Sequence, residues 1–318
     1  MANGQLNVGG TLDASAPNVT NVGNGGFIET SAAHVTTQDG LLVNAGAANG
    51  RGGEWLVDPY DYVINATAAQ NIGATLNTGT SVTITTQSAN AAYGSGATSA
   101  GSGDITVSSA ITKSAGGDAT LTLRADRNVI VSADIKATSG KLGVTLSAGN
   151  GAGSYGGVRV GGNLTSNGGD ILVGGARGVA NQGIGFAANL NDSEAAIVVE
   201  QDKTILSGGG HITINGRSTV GSNNGNYSGV TGGVYVKSGA QILSGTGDLY
   251  ITGDSAGGLK TFGIAFEANA GSKTVVGSAT NGGNMLMNAV NSSGGTAAQR
   301  DEGAMGLVNN GSTDRLSF

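Results

Sequence analysis

GGVRVGGNLTSNGGDILVGG (Gly156–Gly175), IVVEQDKTILSGGGHITING (Ile197–Gly216) and GVYVKSGAQILSGTGDLYITG (Gly233–Gly253) can be laid over one another with their apolar positions matched. The residue before the last strand signal of each copy is Asp170, His211 and Asp248, which gives repeat lengths of 41 and 37. A looser copy, NGGNMLMNAV, places Asn284 a further 36 positions on. Within each copy apolar residues alternate over short stretches, as in Ile171-Leu172-Val173 and Ile212-Thr213-Ile214, and Gly-rich turns bound them. Alternation with turn residues on either side is strand grammar. Units of this length bury their apolar face by stacking on their neighbours.

The same grammar extends toward the N-terminus through DITVSSAITKSAGGDATLTLRADRNVIVSADIKATSGKLGVTLSA (Asp104–Ala148). Hairpins would join strands of similar length by two-residue turns, whereas these turns are irregular and the strands very short. Coils stacked at the ordinary strand spacing of about 4.8 Å account for the pattern. One long copy is then one coil plus a loop, or two irregular coils. The expected architecture is all-β, a right-handed parallel β-helix with projecting Gly/Ser/Asn-rich loops and almost no α-helix. From about Asn71 onward Val82, Ile105, Leu121, Val129, Ile171, Ile212 and Ile251, or their strand neighbours, should point inward.

Composition agrees with a thin, continuous core. The 318 residues include 60 Gly, 2 Pro and no Cys, with 38% hydrophobic, 11% charged and 4% aromatic residues. Gly is thus roughly a fifth of the chain, against a usual share of about 7%. Few large side chains remain to fill a thick core, yet the apolar content is too high for a disordered linker. The net charge of −6 and the lack of any Lys/Arg cluster argue against nucleic acid as a partner. No apolar run approaches the ~20 residues of a membrane span, and MANGQLNVGG lacks the regions of a signal peptide.

From Gly25 to Ile64 the chain reads GGFIETSAAHVTTQDGLLVNAGAANGRGGEWLVDPYDYVI. This resembles a segment of large exoproteins of the filamentous-haemagglutinin type, in which a G-G-x-[IV]-E-T-S strand precedes a G-x-W-L-[IVL]-D-P turn. The likeness continues through NIGATLNTGTSVTITTQ (Asn71–Gln87) to about Ala148, and beyond that rests on repeat style. The resemblance implies a β-helical shaft exported through an outer-membrane pore transporter and used for attachment to a host or bacterial surface glycan or protein receptor. The secreted, cell-surface location follows from the same resemblance. The Asn-Pro-rich secretion domain of that family has no counterpart here, so an internal or carboxy-proximal piece is expected. Absence of Cys fits such export, since a disulfide closed early would obstruct threading. Three stretches follow: 1–70 as β-helix coils with the two motifs, 71–148 as regular β-helix coils, and 149–318 as loop-bearing β-helix repeats of 37 to 41 residues.

Candidate site residues are few. Trp55, the only Trp, sits between two strand signals and reads as a core cap rather than a sugar platform. His34 and His211 are far apart and no Cys accompanies them, so no metal or cofactor is expected. His211 takes the turn position held by Asp170 and Asp248 and reads as a polar corner residue. A polysaccharide-degrading enzyme would need paired carboxylates, or carboxylates beside a cation, on one face. The candidates are Asp126 with Arg124 and Arg127, and Asp170 with Arg159 and Arg177. An ice-binding face would need Thr pairs on most coils; VTITT (Val82–Thr86) and ATLTL (Ala119–Leu123) have them, and the later copies do not. Four looser segments interrupt the coils, three with a single Tyr among Gly, Ser and Asn: Tyr93, Tyr155 and Tyr227. An aromatic anchor among small polar residues is the composition of adaptable binding loops, so these three are the candidate ligand-binding residues.

Overall fold

The computed structural model describes residues 2–17, 23–86, 101–151, 155–181, 183–191, 194–218, 231–255, 261–269, 271–277, 282–291 and 303–309. Apart from one helix the described residues are all-β, and nearly every strand pairing among them is parallel. The first sheet runs in chain order from Ala2–Val8 through Phe27–Thr37, Glu54–Asp58, Ser81–Thr85, Ala119–Arg124, Leu142–Ala148, Ile171–Gly175, Ile212–Ser218 and Leu249–Ser255 to Met285–Asn291. The second runs from Tyr62–Ile64 through Ile105–Val107, Val129–Val131, Val158–Val160, Ile197–Val199, Thr231–Val236 and Thr261–Ala268 to Gly303–Asn309. The third begins at Ile111–Lys113 and ends at Val275–Val276. From Ser81 onward the chain visits first, second and third sheet in turn, and each visit except Ile111–Lys113 pairs with the one a circuit earlier.

A bare circuit is short: Leu121 pairs with Val144, and Val144 with Ile171. Ile171 pairs with Ile212 and Ile212 with Leu249, so each long sequence repeat is one circuit plus a loop. In-register pairing stacks like on like inside the shaft. Trp55, Val82, Leu121, Val144, Ile171, Ile212 and Leu249 form one buried row, each the pairing partner of the next. All seven residues expected to point inward are fully buried. Alternation along every strand sends the neighbouring residue outward.

One feature differs from the sequence expectation. Parallel pairing also runs through residues 1–70, with Ala2–Val8 on Phe27–Thr37 and Phe27–Thr37 on Glu54–Asp58. Asn71, however, lies in a helix, Ala66–Asn77, where almost none was expected. The local reasons are plain: Asn65 caps the N-terminus by accepting the Ala68 N–H at 3.0 Å, and Gly79 follows the last turn at φ 81°. Ala68, Ala69, Ile72 and Leu76 are buried, at helical spacing. In the circuit between Tyr62–Ile64 and Ser81–Thr85 this helix stands where later circuits have a third-sheet strand, and it packs on Ile111–Lys113, the end strand of that sheet. Among its other neighbours is Leu42–Asn44, which pairs with Thr11–Asp13 in a separate two-stranded sheet.

Candidate functional site

From Ser81 onward the longest connections join the first sheet to the second. Third-to-first links are the short turns 114–118, 138–141, 166–170, 207–211 and 244–248 and the longer 277–284, and second-to-third links are short throughout. First-to-second links instead include 86–104, 149–157, 176–196, 219–230, 256–260 and 292–302. In sequence, the four looser segments span links of this first-to-second kind. Tyr155 is half-buried there, and its backbone carbonyl accepts a bond from Arg177 Nη2 at 3.5 Å. Tyr93 and Tyr227 lie outside the described residues.

The longest described link is held down by specific contacts. Strands Arg177–Asn181 and Ile184–Phe186 make the antiparallel exception, a hairpin joined to the end of Ile171–Gly175 through Gly175 and Gly185. Arg217 lies 4.2 Å from the centre of the Phe186 ring while its Nε bonds Asp254 Oδ2 at 2.9 Å. Leu190 and Ala195 bury Val198 on the outer face of the second sheet. Arg159 joins Glu194, at the end of that link, to Glu200, and Lys237 Nζ meets the same Glu200 at 2.6 Å. Burial opposes ionisation of Glu200, yet the bonds and charges of Lys237 and Arg159 together hold its carboxyl below the ordinary value. Tyr235, beside this network, is pushed up by burial and by the Glu267 carboxylate. Sequence reading missed the cluster because Arg159, Glu200 and Lys237 come from successive circuits.

The carboxylate–cation pairs weighed for catalysis are not the pairs that form. Arg127 makes a bidentate pair with Asp104, at 2.8 and 2.5 Å, and Arg124 Nε bonds Asn150 Oδ1 at 3.0 Å. Asp170 Oδ1 accepts the His211 N–H at 2.8 Å, whereas Arg159 is engaged by Glu194 and Glu200. His211 is the corner residue the repeat alignment implies. His34 meets Tyr60 edge-on, with ring centres 6.3 Å apart. Among the described residues no group of three His, Asp or Glu could hold a metal ion, and no helix is long and apolar enough to cross a membrane. Trp55 is buried at the head of the core row, with its indole N–H on Thr30 Oγ1 at 3.0 Å. Outward Thr83, Thr122 and Thr145 stack in register, and Leu172 then breaks the Thr row.

No protein-family model and no curated protein sequence matches the chain.

Proposed function

We propose that this chain is a segment of a secreted bacterial adhesin of the filamentous-haemagglutinin type, folded as a right-handed parallel β-helix and without catalytic activity. The handedness follows the strong rule for parallel crossover connections. The observation that carries the reading is that, from Ser81 onward, the longest links join the first sheet to the second. A shaft that repeats its three faces has nothing on its short corners to distinguish one partner from another, so specificity falls to what differs between circuits, and the links at this corner differ most. In sequence Tyr93, Tyr155 and Tyr227 each fall between a first-sheet and a second-sheet strand, and to them we assign the contacts with a glycan or protein receptor, individually weak contacts that add together. The GG-IETS and WLVDP motifs and the missing cysteines support export of the parent chain through an outer-membrane pore transporter.

The test is attachment to host cells and to a glycan array by the Tyr93→Ala, Tyr155→Ala, Tyr227→Ala triple variant, after confirming an unchanged melting temperature. Binding should be abolished; unchanged attachment by the folded variant would remove the rings from the adhesive role. Pectin, alginate and glycosaminoglycans should show no turnover, and turnover lost on replacing Asp170 or Asp126 would overturn the non-catalytic reading.

A further inference from the structure

The outer face of the first sheet carries a furrow that neither the loop corner nor the core accounts for. Two concavities on that face share Ser81, Thr120 and Thr122, and so are continuous. One end is formed by Phe27 and Glu54, the other by Asp170 and Leu172. These residues come from six successive strands of the sheet or their immediate flanks, so at about 4.8 Å per strand the furrow is roughly 24 Å long. It runs along the shaft axis, across the strands. Its outline is dictated by packing. A Cβ on Gly53 would lie 1.9 Å from the Gly26 carbonyl oxygen, and one on Gly52 1.9 Å from that of Gly79, so the floor beside Phe27 must stay bare.

What lines the furrow has one chemical character. Phe27 is 56% exposed, an unusual position for a ring in a chain with so few aromatics. Beyond it, outward hydroxyls recur from strand to strand: Thr83, Thr122 and Thr145 in one column, Ser81 and Thr120 in the next. The Thr83 hydroxyl bonds Glu54, whereas those of Thr120, Thr122 and Thr145 take no partner among the described residues. The charged members are Glu54, Asp118 and Asp170 against Lys141, a net negative balance. Backbone N–H and C=O groups here are spent on the parallel ladders, so a peptide cannot add as a further strand on this face.

We propose that this furrow binds an extended, uncharged oligosaccharide lying along the shaft, with one sugar face on the Phe27 ring and successive hydroxyls on Thr122 and Thr145. An apolar sugar face stacks on an aromatic ring. Threonine hydroxyls both donate and accept, as sugar hydroxyls require. The negative balance repels uronates and sulfated glycans. Length and openness select a polymer over a compact ligand. The site is distinct from the loop corner and stands whether or not the loops bind.

Calorimetric titration of the wild-type chain with cellohexaose, chitohexaose, maltohexaose, laminarihexaose and mannohexaose, with hexagalacturonate as the anionic control, tests this. At least one neutral hexasaccharide should bind and hexagalacturonate should not. Phe27→Ala should weaken that binding by about fivefold or more, and Phe27→Trp should retain it. Thr122→Val should weaken it by about threefold or more. Both positions face outward, so an unchanged melting temperature identifies the loss as one of contact. The triple Tyr variant should bind the same hexasaccharide as wild type does, which separates this site from the loops. The proposal is overturned if no neutral hexasaccharide binds, if hexagalacturonate binds in preference, or if Phe27→Ala and Thr122→Val leave binding unchanged.

Discussion

The imidazole Nδ1 of His211 accepts the backbone N–H of Asp248 at 3.0 Å, one circuit further along the chain. It is one rung of a ladder at the third-to-first corner. Asp170 Oδ1 accepts the His211 N–H at 2.8 Å, and Asp248 Oδ1 accepts the Asn284 N–H at 2.7 Å. Each side chain at this position satisfies the amide that starts the next first-sheet strand. His211→Asn keeps a neutral acceptor and should leave stability within about 0.5 kcal/mol of wild type, while His211→Ala should cost about 1 kcal/mol. His211→Asp should be worse than Asn, because it stacks a third carboxylate between Asp170 and Asp248 at strand spacing. Thermal melts of the three variants check the order; Ala equal to Asn would show that the rung contributes nothing.

Trp55 and Thr30 make a second pair that spans two strands. The buried indole N–H donates to Thr30 Oγ1 at 3.0 Å, and that hydroxyl donates onward to the Leu56 carbonyl at 3.2 Å. Trp55→Ala removes the largest side chain in the core row and should cost about 3–5 kcal/mol. Thr30→Val keeps the shape but strands a buried N–H, for about 1–3 kcal/mol. Urea unfolding followed by Trp fluorescence measures Thr30→Val, and circular dichroism measures Trp55→Ala. A neutral Thr30→Val would mean the indole finds another acceptor.

These two pairs show what was legible in the sequence. Asp170, His211 and Asp248 were aligned correctly because repeat spacing puts equivalent residues one above another, and strand alternation identified the buried rows. The serines of the same turns were passed over. Ser166 Oγ bonds the Gly169 carbonyl at 2.5 Å and the Ser207 carbonyl at 3.0 Å, and Ser207 repeats both bonds to Gly210 and Ser244. The sequence repeats the pattern S-x-x-G-[DH], but a buried hydroxyl ladder shows itself only when the circuits are stacked. Ala66–Asn77 escaped because its Gly and Thr resemble the surrounding strand and turn vocabulary, although the Asn65 cap was a usable signal. The Glu200 network could not be read at all, since its members meet only across circuits.

That network sets an acid limit. The folded-state pKa of Glu200 lies below its ordinary value of 4.5, so the ionised form is favoured by folding. Its contribution is present above pH 4.5 and is lost as pH falls through the depressed folded value. Melting temperature should therefore drop as pH falls below about 4.5, and Glu200→Gln should flatten that part of the profile. Salt should weaken the effect only in part, because Arg159 and Lys237 contact the carboxylate directly. An identical acid profile in wild type and Glu200→Gln would assign the loss to other carboxylates.

Helix Ala66–Asn77 covers a sheet edge, and Gly73 is what lets it come close. The end strand Ile111–Lys113 has a neighbouring strand on one side only, and the helix packs against the other. A Cβ on Gly73 would stand 2.7 Å from the Thr112 carbonyl oxygen, a backbone atom that cannot rotate away. Gly73→Ala would normally favour a helix by about 1 kcal/mol, so intrinsic propensity and packing pull in opposite directions. Packing should win: overfilling a tight contact costs about 1–3 kcal/mol, and the helix must shift off the edge to relieve it. An uncovered edge strand pairs with other chains. Gly73→Ala should thus lower the melting temperature and produce concentration-dependent dimers or larger species by light scattering. Asn65→Ala, which weakens the helix by about 1 kcal/mol without touching the edge, should lower stability with little self-association at low temperature. A monomeric, stabilised Gly73→Ala would show that the helix retreats without exposing the edge, and that the glycine serves the helix rather than the sheet.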